Sequence, residues 1–333
     1  MFTKIKITKN LILFIILMAV TGIISLFLPN KFLTLINFQS MASQIPEFGI
    51  LAIAMMLAMI TGGIDLSVVS ITNFTGVISA LILVYHTTAA AAGIPVGVII
   101  LLAILAAILT SAICGFLNGL IITLAGVPPI LATLGTQGLF LGLAIIITKG
   151  YSILGFPEEF LFIGSGTLFF LPIPFILFIL VALLIALLLR KSVQGFRMYM
   201  LGSNPIVARF SGVNNTLVLL KTYIMTGLLA GISSIIMISR VNSMRPGYGY
   251  AYLLQAILVA ILGGTDPRGG FGNVPGVVMG IIILQVLQSG LNILAFSPFF
   301  KKFIWGMMLL LIMVLNYLLS KYGHKRKPVR VTD

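Results

Sequence analysis

Residues 61–67 read Thr61-Gly62-Gly63-Ile64-Asp65-Leu66-Ser67, and they divide one long apolar stretch into the runs 46–62 and 67–85. Each run is close to the ~20 residues that cross the hydrocarbon core of a bilayer as a helix. Paired glycines end the first helix because glycine reaches left-handed backbone angles without strain. Asp65 then stands where an N-cap belongs, ahead of Leu66–Tyr85, its carboxylate accepting orphan amide hydrogens at the positive end of the helix dipole. The other reading of Asp65 is a polar element at the inner end of a pathway, because acids buried in membrane proteins are costly and mark function.

Outward from this break the pattern repeats. Further apolar runs fall at about 11–28, 94–116, 134–148, 168–189, 222–239, 252–264, 276–295 and 303–320. The total is ten, of which 134–148 and 252–264 are short for a full span and read as tilted, broken or shared with their flanks. The chain has 333 residues, of which 60% are hydrophobic and 8% charged. So little charge cannot cover a water-facing surface, where about 25% is usual, and a soluble enzyme is excluded. The expected fold is an all-α polytopic membrane protein of eight to ten transmembrane helices with broken or re-entrant elements.

The run 11–28 follows Lys4, Lys6 and Lys9 and lacks a convincing small-residue cleavage site, so it reads as a first helix with a cytoplasmic N-terminus rather than a signal peptide. Ten spans then return the C-terminus to the cytoplasm. Net charge is +14, and its distribution agrees. Lys4, Lys6, Lys9, Arg190, Lys191, Arg197, Arg209, Lys221, Arg268, Lys321, Lys325, Arg326, Lys327 and Arg330 fall inside, whereas Lys31, Lys149, Arg240, Arg245, Lys301 and Lys302 fall outside. Basic residues between apolar runs orient membrane helices; no nucleic-acid partner is implied. The basic tail 321–333 reads as a topology anchor, with an anionic-lipid site as the sharper alternative. Cys114 is the one cysteine, and His86 and His324 are too few and too far apart for a metal site.

A second break, Leu262-Gly263-Gly264-Thr265-Asp266, repeats the Gly-Gly-x-Asp order of residues 62–65 and continues to Gly272. Matched interruptions point to a transporter built on internal repeats. No Gly-x-x-x-x-Gly-Lys-Ser/Thr occurs, so this phosphate loop is missing. Val127-Pro128-Pro129 is a third break, since two prolines forbid a continuous helix. The polar residues inside spans are Asn73, Asn118, Gln137, Gln255, Gln285, Gln288 and Asn292. They read as interhelical hydrogen bonds or as the lining of a path for a hydroxyl-rich solute, with Gln285, Gln288 and Asn292 at one-face spacing. Gly115, Gly119, Gly138 and Gly142 read as helix-packing sites. All six acids, Glu47, Asp65, Glu158, Glu159, Asp266 and Asp333, are placed at span ends, loops or the tail, which speaks against an ion-coupled secondary transporter. No catalytic constellation supports a membrane-embedded enzyme.

The longest polar stretch, 190–221, contains no acid. Within it, Gly202–Gly212 reads as one short helix with Asn204 as N-cap, Pro205 at the first position and Gly212 as the stop. Ile206, Val207 and Phe210 share a face, with Arg209 beside them. A two-turn helix is not stable alone in water, so that face needs a partner, the membrane surface or another subunit.

Five stretches together carry a resemblance: Thr61–Ser67 (TGGIDLS), Gly115–Leu120 (GFLNGL), Pro129–Gly135 (PILATLG), Gly202–Gly212 and Ile261–Gly272 (ILGGTDPRGGFG). The chain resembles the permease subunits of ATP-binding-cassette importers for simple sugars, the ribose-type branch, which is related to the branched-chain amino-acid permeases. Two departures are Val69, where the family often has Gly, and Asp266, where many sugar permeases have Ser. The resemblance implies one transmembrane permease domain over 1–333 in the bacterial cytoplasmic membrane. It also implies a second permease copy or paralogue, two ATPase subunits that hold ATP and magnesium, and an extracytoplasmic sugar-binding protein, with no cofactor in this chain. Carried over, Asn204, Pro205, Ile206, Val207, Ala208, Arg209, Phe210, Ser211 and Gly212, with Arg197 and Gly202, become the part that engages the ATPase. Gly62, Gly63, Asp65, Ser67, Gly263, Gly264 and Asp266 join the seven polar span residues as pathway or hinge candidates. The cargo expected is a monosaccharide, ribose-like pentose or hexose; the alternatives are an autoinducer-2-like molecule or a branched-chain amino acid, whose carboxylate would favour a charged pathway.

Overall fold

Each of the ten apolar runs becomes a helix in the computed structural model, which describes residues 9–323. The order is α1 (Lys9–Phe27), α2 (Pro29–Phe32), α3 (Leu35–Ile60), α4 (Val68–Val84), α5 (His86–Ala91), α6 (Val96–Leu124), α7 (Pro129–Thr148), β1 (Ile153–Leu154), α8 (Glu158–Ser165), β2 (Thr167–Leu168), β3 (Leu171–Pro172) and α9 (Ile173–Lys191). It continues through α10 (Val193–Ser203), α11 (Pro205–Phe210), α12 (Asn215–Val241), β4 (Ser243–Met244), α13 (Ala251–Leu262), α14 (Val274–Ile293) and α15 (Pro298–Gly323). The strands form two small antiparallel pairs, β1 with β4 and β2 with β3.

Among the described residues, eight helices are long and apolar enough to cross a membrane. The short run 134–148 reaches full length because α7 begins at Pro129, a proline whose missing amide hydrogen costs nothing in a first turn. The run 252–264 does not. α13 has 12 residues and rises only about 18 Å, against a hydrocarbon core of about 30 Å. The count of ten full spans is corrected on this point. The start of the second span moves as well: α3 opens at Leu35, capped by Thr34, and Pro46 lies buried inside it. Lys4, Lys6 and the tail from His324 lie outside the described residues.

α3 and α12 form the axis. Every residue of α3 from Ile45 to Ile60 is buried, and α9, α12, α13 and α14 pack around it. α12 packs closely on α6 through glycines on both helices: Gly115 meets Gly227, Gly119 meets Leu220, and Gly231 meets Ser111. A β-carbon at Gly115 would stand 2.2 Å from the Tyr223 carbonyl oxygen, and one at Gly227 would stand 2.4 Å from that of Ser111. Small residues four apart let two backbones approach where the hydrophobic effect supplies no drive between helices in lipid. Gly138 and Gly142 differ from the sequence expectation: no atom of the described residues lies within 4 Å of where a β-carbon would stand at either, so neither marks a close helix contact among the described residues.

The two glycine breaks share one geometry but not one register. At the end of α3, Gly62 N–H donates to Met59 and Gly63 N–H to Ala58; at the end of α13, Gly264 N–H donates to Ile261 and Thr265 N–H to Ala260. Both are Schellman ends, with the left-handed position at Gly62 (φ +84°) and Gly264 (φ +88°). Superposing these ends matches Gly62 with Gly264, so Asp65 and Asp266 are not equivalent. The repeated Gly-Gly-x-Asp order is a coincidence of letters across two alike helix ends.

Gly115→Leu and Gly227→Leu should each destabilise the protein by more than the about 1–3 kcal/mol of an ordinary overpacked core site, because backbone is what they strike. Gly138→Leu should leave folding within about 1 kcal/mol of wild type by the same reasoning. Unfolding midpoints of purified variants in one detergent provide the check.

Candidate functional site

The polar loop folds into two helices, not one. α10, capped by the Ser192 hydroxyl, precedes the expected short helix, and Gly202 belongs to its last turn. α11 follows as read: Asn204 Oδ1 accepts from Ile206 N at 3.0 Å and Val207 N at 3.1 Å, Pro205 opens the helix, and Gly212 closes it at φ +78°. Ala208 is buried towards the protein, whereas Ile206, Val207, Arg209 and Phe210 are exposed, Phe210 at 89%. Phe196 and Arg197 extend this surface from α10. Phe196, Tyr199, Met200 and Val207 line an apolar groove between the two helices.

This loop is seated on both glycine breaks. Gly202 packs so closely that a β-carbon there would stand 1.8 Å from the Ile60 carbonyl oxygen and 2.5 Å from Gly270 N. Gly270 N–H itself donates to that Ile60 carbonyl at 2.9 Å, and Tyr199 Oη donates to the Gly272 carbonyl at 2.7 Å. Burial pushes the Tyr199 phenol up from its ordinary value, which keeps it a donor. The ends of α3, α10 and α13 therefore meet on one face of the molecule. Asp266 is held at this face by Arg268, its carboxylate accepting from Nε and Nη2, and it lies in the loop between α13 and α14.

Asp65 is fully buried, but α4 begins at Val68 with Ser67 as its cap residue, which corrects the simple N-cap reading. Its Oδ1 accepts from Ser67 N at 3.1 Å and Ser67 Oγ at 2.6 Å, and its Oδ2 accepts from Thr226 Oγ1 at 2.7 Å. Asn118 Nδ2 donates to Ser67 Oγ at 2.7 Å. Thr133 completes the knot, donating to the Ile64 carbonyl and accepting from Leu66 N, both at 3.1 Å. The break is thus tied to α6, α7 and α12. Gly63 is required by proximity: a β-carbon there would lie 2.5 Å from Tyr223 Oη and 2.9 Å from Pro129 Cβ. Thr226 and Tyr223 of α12 carried no sequence signal, since each is a single hydroxyl in an apolar run; Thr133 lay within the quoted stretch Pro129–Gly135 but was not singled out.

Glu47 overturns the expectation that every acid lies at a span end, loop or tail. It is fully buried within α3, ion-paired to Arg240 of α12 and accepting from Tyr252 Oη of α13. Arg240 is accordingly not a loop charge, and it drops out of the orientation count. Paired and hydrogen-bonded, Glu47 is neutralised within the protein. The other polar span residues divide among separate partners. Gln285 Nε2 donates to Gln44 and Gln255 Nε2 to Gln288, each at 3.4 Å, and Asn292 accepts from Lys301. Asn73 Nδ2 donates to the Tyr248 carbonyl at 2.9 Å, and Gln137 Nε2 to Tyr250 Oη. The even spacing of Gln285, Gln288 and Asn292 therefore does not make one polar strip.

The chain matches, over residues 37–313, the family model described as branched-chain amino acid transport system / permease component. It is 35% identical over 297 residues to the ribose import permease protein RbsC of Bacillus subtilis (strain 168), covering 88% of each chain. It is 32% identical over 272 residues to the autoinducer 2 import system permease protein LsrD of Yersinia pestis (strain Pestoides F), covering 80% of this chain and 78% of the other. No solved structure matches.

Two outcomes are expected from these buried groups. Asp65→Asn should insert and fold within about two-fold of wild-type yield, because its amide oxygen keeps Ser67 and Thr226 Oγ1 can accept from the new amide. Gly63→Leu should lose most folded protein. Arg240→Met leaves Glu47 buried without its cation and should cost about 3 kcal/mol, the lower end for a broken buried pair, since Tyr252 still donates. Adding Glu47→Leu should recover more than half of that loss. Yields by fluorescence size-exclusion and unfolding midpoints read both.

Proposed function

This chain belongs to the permease-component family of the branched-chain amino acid transport systems, and on that premise we propose that it forms the translocation pathway of an ATP-binding-cassette importer for a monosaccharide. The observation that carries the cargo is the 35% identity, over 88% of both chains, to a ribose import permease. A second cargo, autoinducer-2, is supported by the 32% identity to an import permease for that molecule. The Glu47–Arg240 pair is closed on itself, so no free charge in it selects an amino acid.

In this reading the exposed Ile206–Val207–Phe210 face is where a separate ATPase docks, and hydrolysis of ATP with magnesium takes place on that partner. The seat of Gly202 on Ile60 and Gly270 supports a mechanical role. Backbone packed on backbone has no side-chain rotamers to absorb a push, so a displaced α10–α11 unit moves the ends of α3 and α13 with it. The face that holds α10, α11 and the two breaks is then cytoplasmic, as are both termini, in the inner membrane of a bacterium. A second permease copy or paralogue, two ATPases and an extracytoplasmic binding protein complete the assembly.

Uptake of labelled ribose, with autoinducer-2 as competitor, tests the cargo in cells carrying the permease with its ATPase and binding protein. Saturable ATP-dependent ribose uptake is expected; its absence, with autoinducer-2 imported, would transfer the assignment to the second cargo. Phe210→Asp should abolish uptake and ATPase co-purification while the permease stays inserted, because docking would strand a charge in an apolar contact at a cost of several kcal/mol. Retention of both would make α11 a surface connector.

A further inference from the structure

The segment 245–250, Arg245-Pro246-Gly247-Tyr248-Gly249-Tyr250, is irregular backbone between β4 and α13. Two contacts fix its depth. Tyr250 Oη meets Gln137, the ninth of the twenty residues of α7, and the Tyr248 carbonyl meets Asn73, the sixth of the seventeen of α4. Both positions lie well inside their spans. Irregular backbone at such depth persists only where protein buries it or a water-filled cavity bathes it. Here protein does not bury it: Arg245 and Tyr250 are exposed, Tyr250 at 45%, and Pro246, Gly247, Tyr248 and Gly249 are half-buried. Gly247 and Gly249 hold φ of +80° and +69°, which lets the strand end turn back into the span.

A second observation points to a ligand. Asn73 holds the segment from within the protein, its amide nitrogen donating to the Val69 and Tyr248 carbonyls. Tyr250, 45% exposed, presents an aromatic ring and a hydroxyl on the open side of the segment, the hydroxyl bonded to the amide of Gln137. An apolar ring face takes the C–H side of a sugar ring, while its polar tip and the amide take hydroxyl groups.

Resting on the sugar-import reading, we propose that segment 245–250 lines the aqueous pathway at mid-membrane and that Tyr250 with Gln137 forms a contact site for a neutral, hydroxyl-rich ring. Tyr250 and the segment itself were outside the polar residues that the sequence singled out.

The test uses the full-length permease with its ATPase and binding protein. Cys114 is the one cysteine and is buried, so a Cys114→Ala background accepts single cysteines. Tyr250→Cys, Arg245→Cys and, as a lipid-facing control on α9, Leu183→Cys are treated with a membrane-impermeant methanethiosulfonate in membrane fragments open on both faces. Labelling of Tyr250→Cys at least ten-fold faster than Leu183→Cys is expected, because only a thiol in water ionises and reacts. Equal rates would overturn the aqueous site and hand the surface to lipid or a second subunit. This contrast does not depend on the cargo, so it stands even if the ribose uptake assay fails. Where that assay shows ribose import, ribose with the binding protein should slow Tyr250→Cys labelling several-fold, and no slowing would overturn the sugar contact. Tyr250→Phe should keep most uptake and Tyr250→Ala should raise the half-saturating concentration about ten-fold; equal behaviour of the two would likewise overturn it.

Discussion

In hydrocarbon, a broken helix finds no water for the amides and carbonyls it frees, so every interruption must be satisfied by another part of the protein. The structure follows from this constraint. The break at residues 61–67 is satisfied by Thr133 from α7, by Thr226 through Asp65, and by Gly270, which donates to the Ile60 carbonyl. Asn118 of α6 adds a bond to Ser67, so satisfying one seven-residue segment holds α6, α7 and α12 around the α3–α4 junction. The loop 263–272 is satisfied in turn by Tyr199 from α10.

That dependence links the soluble and membrane parts. α10 and α11 lack a core of their own and are seated by glycine on the ends of two broken helices. In the importer proposed above, a loop anchored in this way transmits displacement, because backbone contacts yield less than side-chain contacts do. The same seat leaves α11 with its apolar side turned outward. Closer to the opposite face, the Glu47–Arg240–Tyr252 cluster ties α3, α12 and α13 by charge and hydrogen bond. It sets the start of the half-length helix α13 and so the depth of the irregular segment before it.

The membrane class, the ten apolar runs and the three breaks were legible in the sequence, because they rest on composition and local backbone chemistry. Lipid admits only apolar helices, glycine alone takes the left-handed turn easily, and proline ends a helix without help from other segments. Asn204, Pro205 and Gly212 announced α11 for the same reason: a cap, a first turn and a stop are made within the segment itself.

What tertiary structure alone decided are the partners. Glu47 looked like a span-end acid until α3 proved to start at Leu35 and α12 brought Arg240 beside it. Gly115 and Gly138 look alike in sequence, yet a β-carbon at one would strike the backbone of α12 and at the other would meet none of the described residues. The Gly-Gly-x-Asp repeat suggested equivalent aspartates, and the helix ends placed them one register apart. Sequence by itself determined where each helix runs and stops, since those choices are settled within a few residues. Which hydroxyl, amide or charge completes each buried group was decided only by packing, because hydrogen bonds between helices join residues far apart in the chain, and spacing along it does not encode that distance in space.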